Sequence, residues 1–158
     1  MRRIIAVGTF LLALCLPMAA QKAEVFGGYQ YTHFDGGGNF NGWNAALTGN
    51  VTNWLGVTGD FSGTYDSGVK FHTYTFGPVI AAHTPVVQPF AHALLGGGTF
   101  SGGGSTTGFV MYYGGGLDAG LRHGLAFRVA QVDWMVLRFS GVTDKNNVRI
   151  STGIVLKF

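Results

Sequence analysis

Histidine, cysteine and the acidic residues are the side chains of this sequence that could bind a metal ion or exchange protons. The only cysteine, Cys15, lies in an apolar segment near the N-terminus, so the rest of the chain has no thiolate chemistry. No two histidines have the H-x-x-H or H-x-x-x-H spacing of metal ligands on one element. We therefore expect no metal site and no cofactor. The histidines are His33, His72, His83, His92 and His123.

Nucleophilic catalysis would require a serine or cysteine, a histidine and an acid brought together. His33 and Asp35 are the nearest approach to a catalytic pair, and both are predicted to lie at the edge of a loop. Four glycine triplets invite comparison with phosphate-binding loops, but no helical pattern follows any of them. We predict that the protein is not an enzyme.

Charged residues are the remaining source of chemistry, and six of them fall on the polar side of segments that alternate apolar and polar residues. A turn at Arg122, His123 and Gly124 would place Asp118 opposite Arg128 on the neighbouring strand, close enough for an ion pair. Such a pair could be a structural plug or a selectivity and gating pair, and both interpretations stay open. The six residues predicted to form a polar network are Asp60, Asp118, Arg122, Arg128, Asp133 and Arg149.

The composition indicates a membrane protein. Hydrophobic residues make up 47% of the chain and charged residues only 11%, whereas ordinary soluble domains contain about 25% charged residues. A basic start at Arg2 and Arg3, an apolar run and small residues up to Ala20 predict a signal peptide over residues 1–20, leaving 21–158 as one domain. Without Arg2 and Arg3 the net charge falls from +3 to +1, which gives no reason to expect nucleic acid as a partner.

Period-two alternation positions the charges, and it predicts β-strands throughout residues 21–158. It is clearest in residues 147–158, where Val148, Ile150, Ile154 and Leu156 lie on one side. Eight strands are predicted, with short turns near residues 52, 84 and 123 and longer loops near residues 38, 68, 102 and 142. The longest predicted loops are the Gly/Ser/Thr segment 96–107 and the segment 138–146.

Alternation by itself does not say whether the apolar face points out to lipid or in to a core. The polar face is mostly small residues, which suits the narrow, filled interior of an eight-stranded barrel. Aromatic residues collect at strand ends, as they do at the two interfaces of a membrane. We therefore predict an all-β fold, an eight-stranded antiparallel transmembrane barrel with its apolar face outward. The predicted interfacial aromatics are Tyr31, Trp43, Trp54, Tyr65 and Phe109.

The last strand ends on Phe158, with Ile154 and Leu156 on the same face. In this the sequence resembles bacterial outer-membrane β-barrels, and among them the small OmpA-like barrel domains, over about residues 25–158. The resemblance implies an outer-membrane location with periplasmic termini, and Ile154, Leu156 and Phe158 as the signal recognised by the barrel-assembly machinery. It also implies outer-membrane lipids and lipopolysaccharide as partners.

One segment breaks the alternation. If inward and outward side chains alternated without interruption from an outward Leu125, both Gln131 and Asp133 would face lipid. A charged side chain in contact with lipid is unfavourable. A β-bulge between Val129 and Gln131 would switch the faces and turn Asp133 inward.

The predicted function is structural or interactional: a monomeric outer-membrane barrel that presents flexible glycine-rich loops at the cell surface and has no open pore. A narrow solute channel is an alternative, and it would need a continuous wetted path past Asp118 and Arg128. Two further alternatives are a soluble lipocalin-like carrier, whose apolar face would point inward, and an outer-membrane lipid-modifying enzyme.

Overall fold

The computed structural model describes residues 22–158, and the predicted signal peptide lies outside the described residues. Each strand pairs antiparallel with the next, and β1 pairs with β8 to close the barrel, which confirms the predicted fold class. Within residues 22–158 there is no helix long and apolar enough to cross a membrane. The strands are β1 (Ala23–His33), β2 (Asn39–Asn50), β3 (Leu55–Asp66), β4 (Val69–Ala81), β5 (Val87–Ser101), β6 (Ser105–Arg122), β7 (Leu125–Phe139) and β8 (Val142–Lys157).

The barrel has two ends that differ in their connections. The terminal end carries Lys22, Phe158 and the connections over residues 51–54, 82–86 and 123–124. The distal end carries the connections over residues 34–38, 67–68, 102–104 and 140–141.

The distal connections are shorter than predicted. Ser67 and Gly68 have φ of 43° and 89°, and Ser140 and Gly141 have φ of 48° and 83°. Two successive positive φ values are those of the type I′ turn, whose twist matches that of two antiparallel strands. The loop predicted over residues 138–146 is therefore wrong, because β7 and β8 continue to a two-residue turn.

The Gly/Ser/Thr segment 96–107 is also mostly strand and not a loop. Gly96, Gly97 and Gly98 pair with residues 73–75 of β4. A Cβ on Gly98 would lie 2.8 Å from the ring of Phe71, so the absence of a side chain leaves room for that ring. Glycine here serves close packing inside a strand, a use that composition does not distinguish from a loop.

The predicted bulge in β7 is confirmed. Leu117 pairs with Ala130 and Asp118 with Arg128, so Val129 has no partner on β6. On the other side, the β7–β8 register shifts between Arg128 and Gln131. Residues three positions apart thereby reach the same side of the wall, which an unbroken strand forbids.

Side chains alternate between an apolar exterior and a mixed interior. Val57, Phe61, Phe76, Ile150 and Ile154 are among many large apolar side chains that stay exposed on the outer wall. The interior contains more than the small polar residues predicted for it, because an apolar cluster fills each side of a central layer of charges. The terminal cluster consists of Phe26, Ala46, Ala126 and Val155. The buried core of the distal cluster consists of Phe34, Phe40, Phe71, Leu94, Val110, Tyr112, Met135 and Leu137.

Candidate functional site: a buried charge network in the lumen

Arg149 on β8 is the centre of the charged layer. Its side chain is completely buried, and Nη1 donates to Oδ1 of Asp60 at 2.8 Å while Nη2 donates to Oδ2 of Asp133 at 2.6 Å. Asp60 lies on β3 and Asp133 on β7, so the guanidinium connects strands that are not neighbours in the barrel wall. The ring of Tyr112 lies 3.9 Å from the guanidinium carbon, in cation–π geometry.

Asp133 receives hydrogen bonds at both carboxylate oxygens. Its Oδ1 lies 2.7 Å from Nε2 of His92 on β5, and its Oδ2 accepts from Nε2 of Gln131 at 2.8 Å as well as from Arg149. All four side chains are at least nine-tenths buried. A buried carboxylate needs this saturation, because an unpaired charge in a low-dielectric interior is strongly destabilising.

Arg128 forms the second ion pair of the layer. Its Nε and Nη2 donate to the two oxygens of Asp118 at 2.7 and 3.0 Å, and its Nη1 donates to Gln131 at 2.7 Å. The rings of Phe26 and Phe90 lie 4.4 and 4.2 Å from its guanidinium carbon. Bidentate pairing and aromatic stacking are what distinguish arginine from lysine.

These contacts form one continuous network, which we call the charge network. It runs from Asp118 through Arg128 and Gln131 to Asp133, and from there through Arg149 to Asp60. Three carboxylates face two guanidiniums, a formal charge of −1 before His92 is counted. The side chain of Asn44 extends the network by donating to Asp60 at 3.0 Å.

The β7 bulge is the local feature that makes the network possible. Arg128, Gln131 and Asp133 all come from β7 and all point inward. If the same sequence formed a strand with no bulge, Arg128 would lie on the face opposite to Gln131 and Asp133.

Five of the six residues predicted for a polar network lie in it, and Arg122 does not. Arg122 is exposed at the last position of β6, after a register shift between Gly120 and Arg122. Its side chain lines an open pocket at the terminal end with Gln88 and Lys157 and joins no hydrogen bond or salt bridge of the charge network, so the prediction that Arg122 belongs to the buried polar network is wrong.

Sequence analysis did not place His92, Gln131, Tyr112 and Asn44 in the network. Period-two alternation puts His92, Tyr112 and Asn44 on the inner faces of their strands, and this is the only signal that the sequence offers for them. Which inward residues meet across the lumen depends on strands that are remote in sequence: Arg149 and Asp60 are separated by 89 positions.

No group of three or more His, Cys, Asp or Glu in the described part of the chain is placed to hold a metal ion. On the terminal side of the charge network there is a small cavity of about 30 Å³, lined by polar residues that include Asn50, Thr58 and Gln88. On its distal side the network meets the distal cluster through Tyr112.

Four of the five predicted interfacial aromatics lie on the outer wall, and Trp54 lies in the β2–β3 connection. Trp43 Nε1 donates to the Tyr65 hydroxyl at 3.2 Å, and Tyr31 donates to Asn39 at 2.8 Å. The remaining two, Phe109 and Trp54, are exposed. The predicted assembly-signal residues are Ile154, Leu156 and Phe158, and all three side chains are exposed on the outside of the barrel wall or at its end.

Comparison with known proteins places this geometry among solved structures. No protein-family model matches the chain, and no curated protein sequence matches it. Solved structures do match. Neisserial surface protein A superposes with a TM-score of 0.69 at 12% identity, covering 87% of this chain and 97% of that one. The chain has the fold of the small outer-membrane β-barrels.

Two further structures support this. The attachment invasion locus protein Ail of Yersinia pestis has a TM-score of 0.58 at 20% identity, over 87% of this chain and 99% of its own. The outer membrane protein OprG of Pseudomonas aeruginosa has a TM-score of 0.64 at 13% identity, over 88% of this chain and 96% of its own. At these identities the likeness is one of fold, and it confirms the predicted similarity to small outer-membrane barrels.

Proposed function

We propose that the protein is a monomeric outer-membrane β-barrel with a structural or surface-interaction role and a closed lumen. The observation that carries the proposal is the distribution of charge. In the central part of the strands the charged residues are Asp60, Asp118, Arg128, Asp133 and Arg149, and every one is buried inside. The outer wall at the same level carries exposed apolar side chains, which suits contact with lipid and disfavours a soluble lipocalin-like carrier.

The closed lumen is supported by the two layers that fill it. Arg149, joined to both β3 and β7, lies across the interior, and the distal cluster packs against it on the side away from the termini. Eight strands leave an interior just wide enough for side chains, so this filling leaves little space for ions. A narrow solute channel has one observation in its favour, the polar cavity on the terminal side.

We propose that the terminal end faces the periplasm and the distal end the cell exterior, as the resemblance to outer-membrane barrels implies. The lengths of the connections do not distinguish the two ends. The exposed side chains of Ile154, Leu156 and Phe158 would then be available to the barrel-assembly machinery. Lipids and lipopolysaccharide would contact the apolar wall and its aromatic rim. The distal connections, of which those over residues 67–68 and 140–141 are two-residue turns, would form the surface offered to other partners.

We also propose a non-enzymatic role. His92 and Asp133 are a histidine–carboxylate pair, but Asp133 is occupied by Arg149 and Gln131 as well. A carboxylate that neutralises a buried arginine is held in a structural role, because its release would leave that charge unpaired.

Electrophoretic mobility in SDS with and without boiling, on membranes from expressing cells, tests the barrel and its location. We expect a heat-dependent shift and resistance to carbonate extraction. Recovery in the soluble fraction with no shift would contradict the proposal.

Conductance in planar lipid bilayers tests the closed lumen separately. We expect no single-channel steps from the folded protein. Reproducible steps that change when Arg149 is replaced by Ala would favour the channel alternative.

A further inference from the structure

The distal end of the barrel contains an apolar cleft, lined in part by the distal cluster, to which the proposed function assigns no ligand. It has a volume of about 400 Å³ and lies between the β1–β2 connection, the β5–β6 hairpin and the β7–β8 hairpin. Pockets of about 300–1,000 Å³ lined by apolar side chains are the usual size for small-molecule sites. Its main apolar lining consists of Phe34, Phe40, Phe100, Leu137, Phe139 and Val142.

The rings that line the cleft support one another. Phe34 and Phe40 meet edge to face with centroids 5.0 Å apart, and Phe100 and Phe139 do so at 5.3 Å. Phe100 also stacks on Phe71 of the distal cluster at 4.1 Å. The floor of the cleft is therefore a preformed aromatic surface, which binds a ligand at little ordering cost. Val142 at its edge is 71% exposed, an unusual position for an apolar residue at a water-facing barrel end.

Among residues 22–158, Asp144 is the one charged residue that lines the cleft. Its carboxylate takes part in no salt bridge with another residue in the range 22–158, whereas Asp35 nearby accepts a hydrogen bond from Asn146. The neighbouring cations, Lys145 and Arg138, are exposed and do not line the cleft. A ligand that fills the cleft thus meets aromatic faces and a single negative charge.

We propose that this cleft binds a small aromatic amine, with the ring among the phenylalanines and the ammonium beside Asp144. Aromatic rings pack edge to face or stacked on aromatic side chains, and their faces also attract a cation. The ammonium group of the ligand forms the ion pair that the Asp144 carboxylate does not form with another residue in the range 22–158. An anionic ligand of the same shape is disfavoured by the same carboxylate. The inference goes beyond the proposed function and holds whichever end of the barrel faces outward.

The test uses the folded full-length barrel in phospholipid nanodiscs and 4-fluorophenethylamine, observed by fluorine NMR. Nanodiscs without protein correct for partition of the amine into lipid. The shape-matched anion 4-fluorophenylacetate tests the role of charge. We expect saturable binding of the amine and none of the anion.

Two variants locate the site. Asp144→Asn should weaken amine binding by about fivefold, the effect of a partly exposed ion pair. The matched control Asp66→Asn removes an exposed carboxylate at the end of β3, outside the cleft, and should leave binding unchanged. Phe139→Leu should weaken binding while keeping the cleft apolar.

The proposal is overturned if the amine behaves the same with empty nanodiscs, or if the anion binds as well as the amine. Equal binding by the wild type and Asp144→Asn would also overturn it. Heat-dependent mobility in SDS, measured on the same samples, separates loss of ligand binding from loss of the barrel itself.

Discussion

The charge network and the distal cluster are adjacent layers of one lumen, equally buried and built from opposite chemistry. Arg149 and Asp133 are 0% exposed, and so are Leu94, Val110 and Met135. The network depends on direction, because each donor must meet its acceptor at 2.6–3.2 Å. The cluster depends on volume, because apolar packing has no required partner. The two layers should therefore differ in which substitutions they tolerate.

Arg149→Met is expected to have the largest effect. It leaves the buried carboxylates of Asp60 and Asp133 without their shared cation, and breaking a buried pair costs about 3–5 kcal/mol. The free energy of unfolding by urea in lipid vesicles measures this. The control Arg138→Met alters an exposed arginine and should change stability by about 0.5 kcal/mol or less. Equal unfolding midpoints for the two variants would show that the buried arginine contributes no more to stability than the exposed one.

Leu94→Ala tests the apolar layer and is expected to cost about 3 kcal/mol, because it opens a cavity where Leu94 is fully buried. The matched control is Met135→Leu, which keeps the volume in the same cluster and should cost less than about 1.5 kcal/mol. The same urea unfolding experiment compares them. If Met135→Leu lowers the free energy of unfolding as much as Leu94→Ala does, the stability of the cluster depends on specific contacts, as that of the charge network does, and not on volume alone.

Arg128→Lys is the conservative counterpart in the network, and it is expected to have the smallest effect of the three, about 1–2 kcal/mol. It keeps the charge but loses the two-pronged pairing with Asp118 and the stacking between Phe26 and Phe90. Arg122→Lys at the exposed end of β6 is the control. A measured cost no larger than that of Arg122→Lys would show that net charge alone stabilises this side of the lumen.

The sequence predicted the parts of the fold that depend on near neighbours. The number of strands follows from period-two alternation and the spacing of the turns, and the β7 bulge from the position of Asp133 in that pattern. The outward direction of the apolar face follows from the small polar residues on the opposite face and from the aromatic residues at strand ends. The Asp118–Arg128 pair was predicted because both residues lie in one hairpin, where register depends on the turn. The distal connections were predicted at the right places but too long, most of all over residues 96–107 and 138–146. Glycine and serine occur both in loops and in strands that pack closely against rings, so composition does not fix where a strand ends.

The charge network as a whole could not be predicted. Alternation places Asp60, His92, Tyr112 and Arg149 on the inner face. It does not say which of the many other inward side chains each of them contacts. Only the closed barrel brings β3, β5, β7 and β8 around one interior, where Arg149 meets Asp60 and Asp133 meets His92. The distal cluster and its cleft share this origin, because their rings come from five different strands and from the β1–β2 connection.

What the sequence by itself determined is thus which face each side chain takes, because a strand alternates its side chains whatever the rest of the chain does. What only the tertiary structure decided is which inward side chains meet. That choice depends on the closure of the barrel and on the stagger of its strands, and both are properties of all eight strands together.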